Sequence, residues 1–328
     1  MTRAVGIAGL GTAVPPKVLT NKEIEKTVDT SDEWITSRTG IKERRIAEDH
    51  VSTSDLAFEA AHEALVSTNM KPEEVDLIIV ATVSPDMIFP STACFTQEKL
   101  GAHKAAAFDL GAGCSGFIYA LAAGSQMIAT GLYDNALIIG AEVMSKQLNW
   151  KDRNTCILFG DAAGAAVIKP VEEGKGFLSF YLGADGGGAD LLSLPGGGTK
   201  HPATHETVDK GLHYIQMAGS EVFKFAVRIM GDASLEVLKR AGLSPEEVDL
   251  LIPHQANTRI VDAAVKRLGL DKNKVCVNVD RYGNTSAASI PVALYESFEQ
   301  GRIKPGDNIV MVGFGAGLTW GSTVLRWA

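Results

Sequence analysis

Three side chains suited to acyl chemistry stand at predicted strand ends: Cys114, His254 and Asn284. The cysteine lies in Leu110-Gly111-Ala112-Gly113-Cys114-Ser115-Gly116, after an apolar run from 105 to 110 and before an almost uncharged, helix-length segment, 117 to 130. That order reads as strand, tight turn, buried helix. A helix N-terminus presents unpaired N–H groups and partial positive charge, which favour thiolate over thiol. The surrounding glycines allow a sharp turn and the close approach of a substrate carbonyl. Cys114 is therefore a candidate nucleophile, although most free cysteines are simply small buried packing residues.

His254 begins His254-Gln255-Ala256-Asn257, and Asn284 lies in Gly283-Asn284-Thr285-Ser286-Ala287. Taken singly, a histidine after a proline is an ordinary hydrogen-bonding residue and an asparagine after a glycine is an ordinary turn. Only shared geometry would make them catalytic.

An internal repeat supplies a reason for such geometry. Residues 72 to 77 and 245 to 250 both read Pro-Glu-Glu-Val-Asp-Leu, an offset of 173, and each leads into an apolar strand. Asp134-Asn135 and Asp307-Asn308 repeat at the same offset, again before apolar runs. Two matches at one offset indicate a duplication. The expected halves are 1–172, carrying the cysteine, and 173–328, carrying the histidine and asparagine. Each half is a β/α unit of alternating strands and helices packed in layers. In open α/β sheets function gathers beyond the carboxyl ends of strands. Cys114 follows one such end; predicted strands over 248–252 and 275–279 deliver His254 and Asn284 to equivalent ends.

Two glycine-rich stretches are weaker signals. Gly9-Leu10-Gly11 lacks the third glycine of a dinucleotide fingerprint and runs into Pro15. Gly313-Phe314-Gly315-Ala316-Gly317-Leu318 reads as a flexible turn after a strand. Its functional reading is a Gly315 N–H that joins the Cys114 N–H in an oxyanion hole.

Composition bounds the rest. The chain has 328 residues, 45% hydrophobic and 21% charged, with a formal net charge of −8. Such a chain buries a large core, and its acidity argues against nucleic-acid binding. Cys94, Cys114, Cys156 and Cys276 show no paired spacing, so neither a metal site nor a disulfide framework is expected. No signal peptide or membrane span is expected, and a reducing cytoplasm fits.

The motif at 111–116, the His-Gln-Ala-Asn at 254–257, Gly283-Asn284-Thr285-Ser286-Ala287-Ala288-Ser289 and Ser37-Arg38-Thr39-Gly40 together resemble the β-ketoacyl-acyl carrier protein synthase III family of the thiolase superfamily, over essentially the whole chain. The resemblance implies a homodimer of five-layered αβαβα subunits, with a CoA thioester as substrate and no cofactor. It implies a ping-pong decarboxylative condensation: Cys114 takes an acyl group, typically acetyl, from acyl-CoA, and the carbanion from malonyl-acyl carrier protein attacks that thioester. His254 and Asn284 would stabilise the enolate, and either His254 or the helix N-terminus could form the thiolate. Trp34, Arg38 and Arg153 match residues bordering the CoA tunnel, and Phe89 matches an aromatic at the acyl-pocket floor near the dimer interface. Arg259 and Lys266, seven apart on one predicted helix face with Arg267 beside them, resemble the family's docking patch for acidic carrier protein.

One departure is the nucleophile turn, Gly-Ala-Gly-Cys-Ser-Gly, where many relatives carry alanines. Small residues are kept, so acyl preference rather than mechanism is touched. A thiolase would bring a second active-site cysteine, and a hydroxymethylglutaryl-CoA synthase a glutamate acid that the sequence does not identify. A papain-like hydrolase fits neither the duplication nor the uncharged helix after Cys114. A CoA-ester binding protein without turnover would not need all three polar residues.

Overall fold

The hexapeptide repeat folds the same way twice. In a computed structural model, which describes residues 2–328, each copy forms a 3-10 turn, Pro72–Glu74 or Pro245–Glu247, and then enters a buried strand. The side-chain ties are repeated too. Asn135 Nδ2 donates to the Glu74 carbonyl at 2.8 Å, and Asn308 Nδ2 to that of Glu247 at 3.0 Å. Asp76 and Asp249 accept the N–H groups of those asparagines.

The first sheet holds β1 (Val5–Ala13), β2 (Leu77–Ala81), β3 (Ala106–Leu110), β4 (Ala136–Val143) and β5 (Asp161–Pro170), in the order β1-β5-β4-β2-β3. The second holds β6 (Gly176–Ala184), β7 (Leu250–Pro253), β8 (Asn308–Gly315) and β9 (Thr319–Arg326), in the order β7-β8-β9-β6. The pairs β2–β3, β2–β4 and β7–β8 are parallel, each joined through at least one helix, and the other pairs are antiparallel. β2 and β4 are buried along their whole length, as expected of strands covered on both faces.

The helices used below are α1 (Asp32–Thr39), α2 (Thr53–Ser67), α3 (Thr92–Leu100), α4 (Gly116–Ala129), α5 (Gly219–Ala241), α6 (Thr258–Leu268), α7 (Val279–Tyr282) and α8 (Ser289–Glu299). Phe117, Ile118 and Leu121 of α4, with Ile290 and Leu294 of α8, share one core cluster with strands of both sheets. Helices α2 and α3 cover the outer face of the first sheet, and α5 with α6 that of the second. The result is five layers, αβαβα. Each fully buried Ile, Leu or Phe of the middle layer contributes about 1.5–3 kcal/mol relative to exposure.

Two local expectations fail. The segment 275–279 makes only a bridge, Leu251 to Val275, before turning into α7. Gln255 Oε1 takes the N–H groups of Asn278 and Val279, at 2.9 and 3.2 Å, so a side chain rather than a ladder satisfies that backbone. The run 313–318 is not a turn throughout, since Gly313 and Gly315 lie within β8 and pair with Gly321 and Thr319.

Candidate active site

Strand β3 ends at Leu110, and a 3-10 turn, Gly113–Ser115, carries Cys114 into the first turn of α4. Two glycines let this turn nest against β8. Gly113 has φ +56°, and a Cβ there would stand 2.7 Å from the Ala316 nitrogen. A Cβ on Gly315 would meet the Cys114 nitrogen at 2.3 Å. Cys114 is buried, and burial pushes its thiol up to about 12, opposed by the Ser286 hydroxyl and reinforced by the charge of Glu142. A helix terminus offers at most about 2 kcal/mol, whereas that shift amounts to about 4 kcal/mol. Desolvation therefore outweighs the helix end and favours the thiol form of Cys114.

His254 follows the end of β7 and is 1% exposed. Burial drives its pKa down to about 3, so the imidazole is neutral. Its Nδ1 lies 2.6 Å from Ser289 Oγ, which also accepts the Gln255 N–H at 3.4 Å. A hydroxyl that already accepts has its proton free to give, so the network assigns Ser289 as donor to Nδ1. Nε2–H is then left as a donor. Phe314 packs edge-on against the ring, with centroids 5.5 Å apart.

Asn284 is fixed in the same manner. Its backbone N–H reaches the Leu158 carbonyl at 2.8 Å, and its carbonyl accepts from Gly160 N at 3.0 Å. The side-chain Oδ1 accepts the Ser286 N–H at 2.9 Å, which leaves the amide NH₂ unspent. The loop before it is pinned by Glu296, which takes Arg281 through both Nη atoms at 2.7 and 2.9 Å, the Tyr282 hydroxyl at 2.6 Å and Asn278 Nδ2 at 2.8 Å.

Cys114, His254 and Asn284 line one cavity of about 90 Å³, together with Gly315, Phe159 and Phe314. A second cavity of about 80 Å³ also opens on Cys114 and is mostly apolar, with Val83, Met144, Phe159, Leu192 and Ile215 in its wall and Ser286 beside the thiol. The larger open recess between Lys17, His50, Lys146 and Trp150, about 820 Å³, contains none of the three. A thiol nucleophile beside two neutral, oriented N–H donors can form a thioester and stabilise an enolate or tetrahedral oxyanion. Among the described residues no group of three or more His, Cys, Asp or Glu could hold a metal ion.

The other expected residues fall in three places. The Arg38 and Arg153 guanidinium groups flank the Trp34 indole at 4.9 and 5.4 Å, and Asn257 Nδ2 ties the Arg38 carbonyl to the loop after His254 at 3.0 Å. Arg259, Lys266 and Arg267 are exposed on α6; Arg259 lies over Phe223 at 4.9 Å, while Arg267 pairs with Asp232 at 3.3 Å. Phe223 also lines the cavity shared by Cys114, His254 and Asn284, so Arg259 sits at its rim. Phe89 is 81% exposed beside exposed Met87 and Ile88, and lines neither cavity.

Sequence reasoning passed over Gln255, Ser286 and Ser289 as individual actors, and found no glutamate near the site. Glu142 is one: its Oε1 accepts from Ser286 Oγ at 2.8 Å. The available signal was a single carboxylate inside the otherwise apolar strand 136–143.

Comparison with known proteins adds a family. Models of 3-oxoacyl-[acyl-carrier-protein] synthase III match residues 108–186 and, for its C-terminal part, 238–327. A β-ketoacyl-[acyl-carrier-protein] synthase III of Desulfitobacterium hafniense is 63% identical over 99% of this chain and 98% of its own; one of Clostridioides difficile is 54% identical over 100% and 99%. The crystal structure of 3-oxoacyl-[acyl-carrier-protein] synthase III from Aquifex aeolicus superposes with a TM-score of 0.91 at 50% identity, covering 98% of this chain and all of that one. The priming β-ketosynthase of the R1128 polyketide pathway superposes at 0.92 with 33% identity, over 99% and 97%.

Proposed function

This chain belongs to the β-ketoacyl-[acyl-carrier-protein] synthase III family, and from that premise we propose that it condenses an acyl-CoA primer with malonyl-acyl carrier protein to start fatty acid synthesis. The observation that carries the reading is one cavity lined by Cys114, His254 and Asn284, whose two donors are preset by Ser289 and Ser286. Cys114 attacks the primer thioester and CoA leaves. The acyl group then sits in the apolar cavity bounded by Val83, Met144 and Ile215. At about 80 Å³ it suits a short chain such as acetyl, since a single water occupies about 30 Å³.

Malonyl-acyl carrier protein follows through the vacated entrance. Loss of carbon dioxide builds negative charge on its thioester oxygen, where His254 Nε2–H and the Asn284 NH₂ stabilise the enolate without adding a charge. The carbanion attacks the Cys114 thioester, whose own oxygen is held by the N–H groups of Cys114 and Gly315. Covalent capture keeps the electrophile in place between the steps. No cofactor takes part in this scheme.

CoA enters past Trp34, Arg38 and Arg153, whose indole and guanidinium planes suit an adenine and its phosphates. The carrier docks on Arg259, Lys266 and Arg267, a basic stripe on an acidic protein. A homodimer accounts for two further features. β3 is an edge strand with one side unpaired, and Met87, Ile88 and Phe89 are exposed together. Pairing β3 with its copy continues the sheet and sends Phe89 towards the partner's acyl cavity. Among the described residues no helix is long and apolar enough to cross a membrane, and soluble substrates suit a cytoplasmic enzyme.

Intact-protein mass spectrometry after brief incubation with a panel of acyl-CoAs tests this reading. An acyl adduct that is absent from Cys114→Ala and is discharged by malonyl-acyl carrier protein supports both half-reactions and identifies the primer. No adduct from any acyl-CoA would overturn it.

A further inference from the structure

Glu142 is a fully buried carboxyl that none of the steps above employs. Beyond Ser286 it accepts from Thr82 Oγ1, the N–H groups of Val83 and Ser84, and Ser84 Oγ, at 2.5 to 3.1 Å. Every partner is a donor, which suits an ionised carboxylate, yet burial raises its pKa above the usual range. Such a group is poised to take a proton. Ser286 is the second observation. It borders the acyl cavity with Cys114, and its hydroxyl, which lowers the Cys114 pKa, donates to Glu142. It also has φ +48°, a region that favours glycine. At the equivalent position of the first half, Gly113 has φ +56°. Where the fold accepts glycine, the second half keeps a hydroxyl.

We propose that Ser286 and Glu142 are the path that receives the Cys114 proton when the sulfur attacks the acyl thioester. The inference rests on the reading of Cys114 as the acylated nucleophile. A buried site holds one negative charge with difficulty and a second with far more. Loss of the thiol proton to solvent would set a thiolate beside an ionised Glu142. Transfer within the pair avoids this, because the single charge only moves from carboxylate to sulfur. The thiol proton passes to Ser286 Oγ as the Ser286 proton passes to Glu142 Oε1. The sulfur forms its bond to the acyl carbon, the carbon–sulfur bond to CoA breaks, and the departing CoA thiolate takes the proton back along the same path. Glu142 ends ionised and Cys114 acylated.

No other charge intrudes on this pair. His254 is neutral, β2 and α4 carry no charged residue, and β5 faces Glu142 with Ala162 across the ladder. Asp161 pairs with Val143, one residue along, and so points to the opposite face.

The test is the rate of iodoacetamide alkylation at the Cys114 peptide of the full chain across pH, with Cys114→Ala as blank. The native rate should be nearly flat from about pH 6.5 to about 8.5, because the thiolate is drawn from an internal equilibrium. Glu142→Gln should lower the neutral rate at least about tenfold and give it a slope of about tenfold per pH unit. If Glu142 were only a buried charge, removing it would relieve repulsion and make Cys114 faster than native, which overturns the proposal. Ser286→Ala leaves the donors at 82–84 holding Glu142 and should also slow alkylation; a native rate there would overturn the bridging role. Alkylation needs no acyl substrate, so the two readings fail separately. An acyl adduct with alkylation unmoved by either variant removes the relay alone. The expected alkylation profile with no adduct from any acyl-CoA removes the condensing activity and leaves the relay.

Discussion

Residues 113 and 286 occupy the same place in the two halves of this molecule. Each opens a 3-10 turn that leads into a helix of the middle layer, α4 in one half and α8 in the other. Both have positive φ, yet one is glycine and the other serine. The same offset of 173 sets Ala81 against His254 and Gly111 against Asn284. On the proposed reading the fold repeats while the chemistry is divided: the first copy keeps small residues and supplies the nucleophile, and the second supplies the donors. The edge strand differs in the same sense. β3 is regular in the first half, whereas 275–278 is held by Gln255 and frees the chain to bring Asn284 across to Leu158 and Gly160.

The comparison breaks most visibly if second-half residues are replaced by their first-half counterparts. His254→Ala and Asn284→Gly should each cut malonyl decarboxylation about a hundredfold to a thousandfold, while acyl transfer to Cys114 persists. Single-turnover assays of the two half-reactions separate these, and equal loss of both would remove the assigned roles. His254→Ala also bears on stability. Folded His254 sits at about 3 and an unfolded histidine near about 6.5, so the unfolded state takes the proton first. Its contribution is complete above about pH 6.5 and is lost as pH falls towards about 3, at up to about 1.4 kcal/mol per pH unit. Urea midpoints between neutral and mildly acid pH should show that slope in the native chain and a flatter one in His254→Ala.

Exchanging the turn residues is the next largest effect on folding. Gly113→Ser places a Cβ 2.7 Å from the Ala316 nitrogen and should lower stability by about 2 kcal/mol or more. Ser286→Gly should instead be nearly neutral, because relief of the left-handed backbone is offset by the lost hydrogen bond to Glu142. Thermal midpoints falling equally for both would show that the two turns are not equivalent.

Smaller effects sharpen the picture. Ser289→Ala removes the partner of His254 Nδ1 and should cost about 1 kcal/mol of transition-state stabilisation, roughly fivefold to tenfold in decarboxylation. Acyl transfer should be unchanged, which distinguishes tautomer control from general loosening. Arg259→Glu, at the rim, should raise KM for malonyl-acyl carrier protein severalfold and leave that for acyl-CoA alone. An unchanged KM for the carrier would dissociate α6 from docking.

The five-layer arrangement was legible through resemblance; the sequence by itself determined the duplication and the strand ends at which Cys114 and His254 stand. These are legible because burial periodicity, glycine spacing and repeated capping segments report local backbone, and a duplicated backbone fixes where its loops meet. Trp34 with its two arginines was legible through resemblance, and the structure brings those three side chains together. The 275–279 segment was misread as a strand because its alternating pattern is real, but a glutamine 23 residues away captures its N–H groups. Tertiary structure alone decided the protonation of the site. The turn at Cys114 favours a thiolate, yet desolvation by burial outweighs the helix end. Ser289 fixes the His254 tautomer from 35 residues away, and Glu142 reaches Ser286 across 144. Charge state depends on which distant groups exclude water from an atom or donate to it, and no local pattern carries that information.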